Sequence, residues 1–317
     1  MTTVSWWVWA LFGALVLAML ALDLSALRRS SGEQSVRSAA LWSAAWIGLG
    51  LAFGVIVLAL YGPDASLTYF TAYALEKSLS VDNIFVFVLI FAELQVPPAE
   101  QRRVLYWGVL GALVMRAILI ALGVFLLERF HWVIYPFAAL ILFAAARILF
   151  GQEKEREVVV TACAVCGTWV ARIIPITPVL WGHRFWVRQG GRLVATPLLI
   201  ALILVELTDA VFALDSIPAV FAVTQDPFLI YTSNIFAMLG LRSLYILLGG
   251  AVSRLRYLRF GLAFILAFVG VKLLLGGVVE IPAWISLIII LGAVAISAAV
   301  SLLMIPAPAP AHKLEKA

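Results

Sequence analysis

Long apolar stretches separated by short polar segments run along the whole chain. A helix that crosses a bilayer needs about 20 mostly apolar residues, and nine stretches reach that length. We therefore predict an all-α polytopic membrane protein with about nine transmembrane helices, which we number as spans 1 to 9. They lie at residues 4–24, 40–60, 68–91, 104–127, 131–150, 196–223, 228–250, 258–278 and 282–304.

The composition supports a membrane protein and excludes several other classes. Of 317 residues, 64% are apolar and 12% are charged, whereas soluble domains are about half apolar and a quarter charged. A soluble globular enzyme and a disordered chain are therefore excluded, and two cysteines give no disulfide framework. We find no phosphate-binding loop and no nucleophile–base arrangement, so we expect neither an enzyme nor a resident cofactor.

The distribution of basic residues predicts the orientation in the membrane. Cytoplasmic loops collect lysine and arginine. Sixteen of these residues fall on the side that holds the loops after spans 1, 3, 5 and 7 and the C-terminal tail, and one, Arg129, falls in the alternate loops. The N-terminus is therefore predicted outside and the C-terminus in the cytoplasm. This bias also explains the net charge of +5 without a nucleic-acid partner; the lipid bilayer is the expected partner.

Spans 3–5 and 6–8 resemble each other in the order of their polar residues. Residues 76–83 correspond to 209–216, because each begins with an acid and ends with an acid and a small polar residue; Arg116 corresponds to Arg242, and Arg147 to Lys272. From the predicted orientation, span 3 runs inward and span 6 outward. The sequence therefore predicts an inverted 3+3 helix repeat, which is typical of secondary transporters with a substrate site near the midplane.

These observations divide the chain into five segments. Residues 1–67 form two N-terminal spans, 68–151 the first repeat, 152–195 a cytoplasmic loop, 196–278 the second repeat, and 279–317 the last span with a disordered cytoplasmic tail. Within the loop, the Gly190-Gly191 pair predicts a β-hairpin. The proline-rich segment 306–310 predicts an extended tail.

Six acidic residues fall inside predicted spans. An ionised carboxylate at bilayer depth costs at least ~2.5 kcal/mol, and such groups commonly line an ion or proton pathway. Alternatively, the acids form salt bridges with the five basic residues in the spans. The acids are Asp23, Glu76, Asp82, Glu206, Asp209 and Asp215, and the bases are Lys77, Arg116, Arg147, Arg242 and Lys272.

The six-residue spacing within each pair of acids restricts how they converge. Six residues turn a regular helix by about 600°, so Glu76 and Asp82 lie about 120° apart, as do Asp209 and Asp215. The four acids converge only if the helices break or if they line different levels of one path. Pro218 predicts a break in span 6, because it lacks an N–H group and its ring clashes with the carbonyl four residues earlier.

The ligand types in the spans favour hard divalent cations. Carboxylate and carbonyl oxygens suit magnesium, calcium and manganese. Asn234 adds an amide oxygen, or it makes an interhelical hydrogen bond. The spans contain no cysteine and, apart from His131 at the outer boundary of span 5, no histidine. Cys163 and Cys166 form a C-x-x-C pair in the predicted loop. The pair is either a redox-active or zinc-binding site, with His183 as the nearby candidate ligand, or simply two small apolar residues.

Several motifs resemble the TerC family of integral membrane proteins, within the lysine-exporter superfamily. They are Glu76-Lys-Ser-Leu-Ser-Val-Asp82-Asn83, Ile176-Thr-Pro178 with Phe185-Trp-Val-Arg188, Ala195-Thr-Pro197, Asp215-Ser-Ile-Pro218-Ala, and Thr232-Ser-Asn-Ile-Phe-Ala-Met-Leu-Gly-Leu-Arg242. The resemblance covers spans 1 to 8. The C-x-x-C pair departs from it and leaves the role of that loop open.

The resemblance implies export of a divalent metal, chiefly manganese, across the bacterial inner (plasma) membrane. Its functional residues correspond here to Asp23, Glu76, Asp82, Asp209 and Asp215, with the polar partners Asn83 and Asn234. Our hypothesis is a Mn²⁺ exporter driven by proton antiport, with Asp82 and Asp215 as the primary ligands. Two alternatives stay open: a Ca²⁺ or Mg²⁺ transporter, and a non-transporting scaffold of a stress or secretion complex whose protein partners the sequence does not identify.

Overall fold

The computed structural model describes residues 5–29, 35–150, 155–177, 179–249, 257–276, 279 and 281–304. The predicted tail at 306–310 and Pro178 of the quoted motif lie outside these ranges. Within them the chain forms helices and one hairpin. The helices are α1 (Trp6–Arg29), α2 (Val36–Tyr61), α3 (Pro63–Glu93), α4 (Pro98–Arg129), α5 (Ile134–Phe150), α6 (Glu155–Ile173), α7 (Pro197–Phe221), α8 (Pro227–Met238), α9 (Leu241–Gly249), α10 (Leu258–Leu275) and α11 (Ala283–Leu303).

Each predicted span falls on one of these helices except span 7, which is divided between α8 and α9. Seven helical segments in the described ranges are long and apolar enough to cross a membrane, and the bent pair α8–α9 would make an eighth. The helix of span 3, α3, has 31 residues but carries Glu76, Lys77 and Asp82 near its middle. The architecture is therefore that of a helical polytopic membrane protein, while the number nine remains a prediction.

The predicted break in span 6 is wrong. α7 continues through Pro218 to Phe221 as one helix. The proline lies in the last turn, so the helix loses one hydrogen bond close to its end, and the next turn closes when Ala222 N–H donates to the Pro218 carbonyl at 3.2 Å. α3 is likewise continuous. The candidate acids therefore project from two unbroken helices.

The second repeat is interrupted elsewhere, inside predicted span 7. α8 ends at Met238, α9 begins at Leu241, and the two helices meet at 41°. Gly240, between them, has a φ of 81°, a conformation that costs other residues about 1–2 kcal/mol. A β-carbon at this position would also lie 2.6 Å from the β-carbon of Trp46 on α2. Backbone conformation and close packing together fix the bend.

Replacing Gly240 with alanine is expected to destabilise the protein by about 2 kcal/mol or more, because the strain adds to the collision with Trp46. The measurement is thermal unfolding of detergent-purified protein. Gly48→Ala on α2 is the matched control, since a β-carbon there meets no atom within 4 Å. Equal unfolding temperatures for the two variants would contradict this account of the bend.

The predicted loop at 152–195 contains more structure than expected. The hairpin prediction is confirmed: β1 (Trp186–Gln189) pairs antiparallel with β2 (Arg192–Ala195), and Gly190 and Gly191 adopt positive φ in the turn. The 19-residue helix α6 was not predicted, and it corrects the treatment of that segment as a loop. α6 packs against α3 and α7.

Corresponding helices of the two predicted repeats pack against each other. α3 contacts α7, α4 contacts α8, and α5 contacts α10. α4 also packs along α7, which places a helix bearing Arg116 beside the acid-bearing helices. The acids of α3 and α7 therefore approach one another at the centre of the helical assembly.

Candidate functional site

A buried arginine joins the acids of α3 and α7. Arg116, on α4, donates from Nη1 to Glu76 Oε2 at 2.8 Å. Its Nε and Nη2 atoms donate to the two carboxylate oxygens of Asp209 at 3.2 and 3.3 Å. All three side chains are almost fully buried. A guanidinium presents several donors in a fixed planar geometry, so this one pairs with two carboxylates at once.

Polar side chains from both helices extend this buried layer. Asn83 Nδ2 on α3 donates to Asp209 Oδ1 on α7 at 3.1 Å, and Arg116 Nη1 also lies 3.4 Å from Ser216 Oγ. Glu76 Oε1 is buried and has no hydrogen-bond partner among the described residues. Because a buried acceptor without a partner is costly, this oxygen remains available to a proton, a water molecule or a cation.

The other acid of each helix faces a cavity of about 290 Å³. Asp82 and Asp215 both line it, together with Arg147. This volume holds several water molecules, and both acids are only partly buried. The walls come from α3, α4, α5, α6, α7 and α10, and the remaining polar lining residues are Asn83, Arg116 and Ser216.

The cavity and the buried layer share three side chains, because Arg116, Asn83 and Ser216 take part in both. The acids of each helix occupy different sides of an unbroken helix, as the six-residue spacing requires. The sequence left open either broken helices or acids at different levels of one path. In the structure the helices are unbroken and the acids lie at different levels around one centre.

Two predicted site residues do not line this cavity. Asp23 on α1 accepts a hydrogen bond from Arg242 on α9 at 2.6 Å, and neither side chain lines the cavity. Asn234 on α8 is buried, and both atoms of its amide lack a hydrogen-bond partner within the described ranges. The cavity and the buried layer therefore include Glu76, Asp82, Asn83, Asp209 and Asp215, whereas Asp23 and Asn234 neither line the cavity nor form a hydrogen bond with the layer.

The salt-bridge alternative applies to part of the set. Asp23, Glu76 and Asp209 pair with arginines. Lys77 instead donates to the Ala237 carbonyl near the end of α8 at 3.0 Å, and Lys272 donates to Ser286. From the sequence, Arg116 is identifiable only as a possible counter-charge, because its place in one helix of the repeat does not indicate that it binds both acids.

No group of three or more histidine, cysteine or acidic side chains that could hold a metal occurs among the described residues. The cavity instead offers two carboxylates, with the amide of Asn83 and the hydroxyl of Ser216 beside them. Magnesium-like cations are commonly bound by one or two carboxylates and retained water. The arrangement therefore suits a partly hydrated cargo ion better than a resident structural metal.

Comparison with known proteins assigns the family. Residues 61–308 match the integral membrane protein TerC family. The chain belongs to the TerC family. It is 48% identical over 295 residues to "Uncharacterized membrane protein STKORF319" of Myxococcus xanthus, covering 93% of this chain and 92% of that protein.

Two further relatives of this TerC protein are informative. It is 42% identical over 294 residues to "Putative membrane-bound redox modulator Alx" of Escherichia coli K12, with 90% of each chain covered. It is 37% identical over 279 residues to "Uncharacterized membrane protein" of Rickettsia bellii, covering 88% of this chain and 91% of that one. No solved structure matches the chain.

The cysteines of this TerC protein are placed in an apolar environment. Cys163 and Cys166 are free thiols on α6, and they pack with Ile90, Ile200 and Leu204. Burial, with the nearby charge of Glu93, raises the pKa of Cys163 to about 11, and burial also raises the pKa of Cys166. Since thiolates are the reactive species, this environment disfavours a redox or zinc-binding role.

We expect slow alkylation of Cys163 at neutral pH. With a pKa near 11, about one thiol in 10,000 is ionised at pH 7, so the rate should rise about tenfold per pH unit up to pH 9. The measurement uses iodoacetamide on a Cys166→Ser variant in membranes, with free cysteine as the reference thiol. Fast alkylation that reaches a plateau below pH 8 would show an activated thiol instead.

Proposed function

We propose that this TerC protein is a secondary transporter of the bacterial inner membrane that exports a divalent metal cation, Mn²⁺, by proton antiport. One observation carries the proposal: Asp82 and Asp215, from corresponding positions of α3 and α7, line the same cavity. Intramembrane acids in a protein-lined cavity are typical of ion and proton pathways. The bacterial relatives support the location.

The cavity chemistry supports a hard cation as substrate. Asp82 and Asp215 would be the primary ligands, and Asn83 and Ser216 would add neutral oxygens. Arg147 and Arg116 line the same space, so they supply counter-charge when no cation is bound. A divalent cation entering between the acids would replace that counter-charge, and the arginines would then move away from it.

Proton coupling follows from the acids themselves. A carboxylate that binds a metal must be deprotonated, so proton and metal compete for the same oxygens. Glu76 and Asp209 would complete the site or accept the exchanged proton. The buried Glu76 Oε1 atom, which has no hydrogen-bond partner among the described residues, supports this second role.

The proposal includes nine spans, an N-terminus outside, a cytoplasmic C-terminus and an inverted repeat of α3–α5 against α7–α10. The packing of α3 on α7, α4 on α8 and α5 on α10 supports the repeat, and rocking of such repeats gives alternating access. Ile148, just before the predicted cytoplasmic loop, and Val158, within it, both line the cavity. Loading from the cytoplasm, as export requires, agrees with that placement.

Ion competition in inside-out membrane vesicles tests the proposed substrate. We expect vesicles containing the protein to accumulate Mn²⁺ under a pH gradient, with a tenfold excess of Ca²⁺ or Mg²⁺ reducing uptake by less than half. Stronger competition by either ion would favour the alternative of a Ca²⁺ or Mg²⁺ transporter. Correctly inserted protein that moves none of the three ions would favour the scaffold alternative.

A further inference from the structure

One membrane acid, Glu206, belongs to neither the buried layer nor the cavity. It is the tenth residue of the 25-residue helix α7, so it lies near the middle of that span. Asp215 follows it by nine residues, which turns a regular helix by about 900°. Because Asp215 lines the cavity, Glu206 projects from the opposite side of α7, towards Gly111 on α4.

The surface of α4 has a notch where Glu206 lies. A side chain at Gly111 would overlap the Glu206 carboxylate. Gly111 lies four residues after Trp107 and three before Val114, which are 45% and 59% exposed. Residues at these spacings share one face of a helix, and an exposed face on a membrane helix contacts lipid. The carboxyl group thus occupies a gap in the lipid-facing surface between α4 and α7.

The α7 side of this gap is also exposed on the lipid-facing surface. Leu207, beside Glu206, is 54% exposed, and Glu206 itself is only partly buried. Within the described part of the chain, no hydrogen bond or ion pair is formed by the Glu206 carboxylate. An ionised carboxylate without a partner at bilayer depth is costly, and protonation removes that cost.

Few charged groups face this carboxyl group. On α7, Asp209 is one turn away and repels a negative charge at Glu206. On α4, Arg116 is bound to Asp209 and Glu76. Near the middle of the other helices packed on α7, the charged side chains are directed elsewhere. Glu76 contacts Arg116, Lys77 donates to the Ala237 carbonyl, Asp82 and Arg147 line the cavity, and Lys272 donates to Ser286. α6 faces α7 with Cys163 and Cys166.

We propose that Glu206 is a lipid-accessible proton-binding site at the α4–α7 seam, separate from the metal cavity, and that it carries the coupling proton of the transporter. The coupling role rests on the proposed function, whereas the existence of the proton-binding site does not. In the coupling step the carboxylate takes up one proton to become the neutral acid, and it later releases that proton on the other side. Asp209, the member of the buried layer that lies one helical turn from Glu206, links proton occupancy to the state of Arg116.

Carbodiimide labelling tests the proton site without reference to transport. Dicyclohexylcarbodiimide is apolar and reacts with a protonated carboxyl group: the acid proton moves to a reagent nitrogen, the carboxyl oxygen bonds to the reagent carbon, and rearrangement leaves a stable N-acylurea with no leaving group. We expect labelled membranes to yield this adduct at Glu206 by mass spectrometry, with labelling that increases as the pH falls. A water-soluble carbodiimide should label Glu206 at least tenfold less.

Two variants complete the labelling test. Glu206→Gln should lower total labelling at least tenfold, while Glu128→Gln, at the exposed end of α4, should leave it unchanged. Folded protein in which Glu206 stays unmodified, or in which the label lies on another acid, would overturn the proposed site.

Transport measurements test the coupling role. In proteoliposomes, Glu206→Gln should lower Mn²⁺ accumulation driven by a pH gradient at least tenfold, and Mn²⁺ counterflow without a gradient less than threefold. Full gradient-driven accumulation by this variant would overturn the coupling role. If wild-type protein moved no Mn²⁺, the proposed function would fail, while the labelling experiment would still decide whether the proton site exists.

Discussion

Replacing either Asp82 or Asp215 with asparagine is expected to reduce Mn²⁺ transport at least 100-fold while leaving membrane insertion intact. Each substitution keeps the size of the side chain and removes one of the two acids lining the cavity. An amide is a weak ligand for a hard divalent cation, and it cannot exchange a proton for a metal. The measurement is Mn²⁺ uptake by inside-out vesicles with matched protein levels.

Asp226→Asn is the matched control for these two variants. Asp226 caps the N-terminus of α8 through hydrogen bonds to the backbone, and asparagine caps a helix about equally well. This control removes one negative charge outside the cavity and should transport at the wild-type rate. If Asp82→Asn or Asp215→Asn transported as well as the control, the cavity would not be the cation site.

Replacing Arg116 with methionine is expected to have the largest effect on stability. The substitution leaves the buried carboxylates of Glu76 and Asp209 without their counter-charge. Removal of one partner from a buried ion pair costs about 3–5 kcal/mol, so we expect little folded protein. The measurement is the yield and thermal stability of detergent-purified protein by size-exclusion chromatography.

A triple variant separates folding from transport at this position. Adding Glu76→Gln and Asp209→Asn to Arg116→Met removes both stranded charges, so folded protein should return while Mn²⁺ transport stays absent. A single Arg116→Met variant with normal yield would contradict the ion-pair account. A folded triple variant that transports Mn²⁺ would show that the buried layer has no part in transport.

The positions of the helices followed closely from the sequence, because the bilayer imposes a minimum length on each apolar stretch. The hairpin was also predictable, since two adjacent glycines mark a tight turn. The path of span 7 was not. Gly240 lies in a continuous apolar run, and its bend depends on contact with Trp46 from another helix. A contact of this kind leaves no local signal.

The predicted proline break failed for a positional reason. Pro218 interrupts hydrogen bonding wherever it occurs, but the effect on α7 is small because the helix ends three residues later. α6 was missed because its short apolar segment is flanked by charged residues and is too short for a span.

The sequence predicts most of the residues of the candidate site, but not how they are arranged. The acids of α3 and α7 do lie at one centre, but Arg116 separates them into a buried layer and a cavity. The sequence could not indicate this, because Arg116 comes from a third helix whose rotation is set by packing. Asp23 and Asn234 are predicted both from their places in the spans and from the family resemblance, and the structure places both outside the cavity.

Reconstitution of the purified wild-type protein tests the central claim most directly. Proteoliposomes are loaded with a manganese-sensitive dye, and Mn²⁺ is added outside with and without an imposed pH gradient, acidic inside. We predict Mn²⁺ accumulation against its own gradient, abolished when nigericin collapses the pH difference, with protons leaving the lumen as Mn²⁺ enters. Uptake that is the same with and without the pH gradient would contradict proton antiport. The absence of Mn²⁺ uptake by folded, inserted protein would contradict the proposal that the protein transports Mn²⁺.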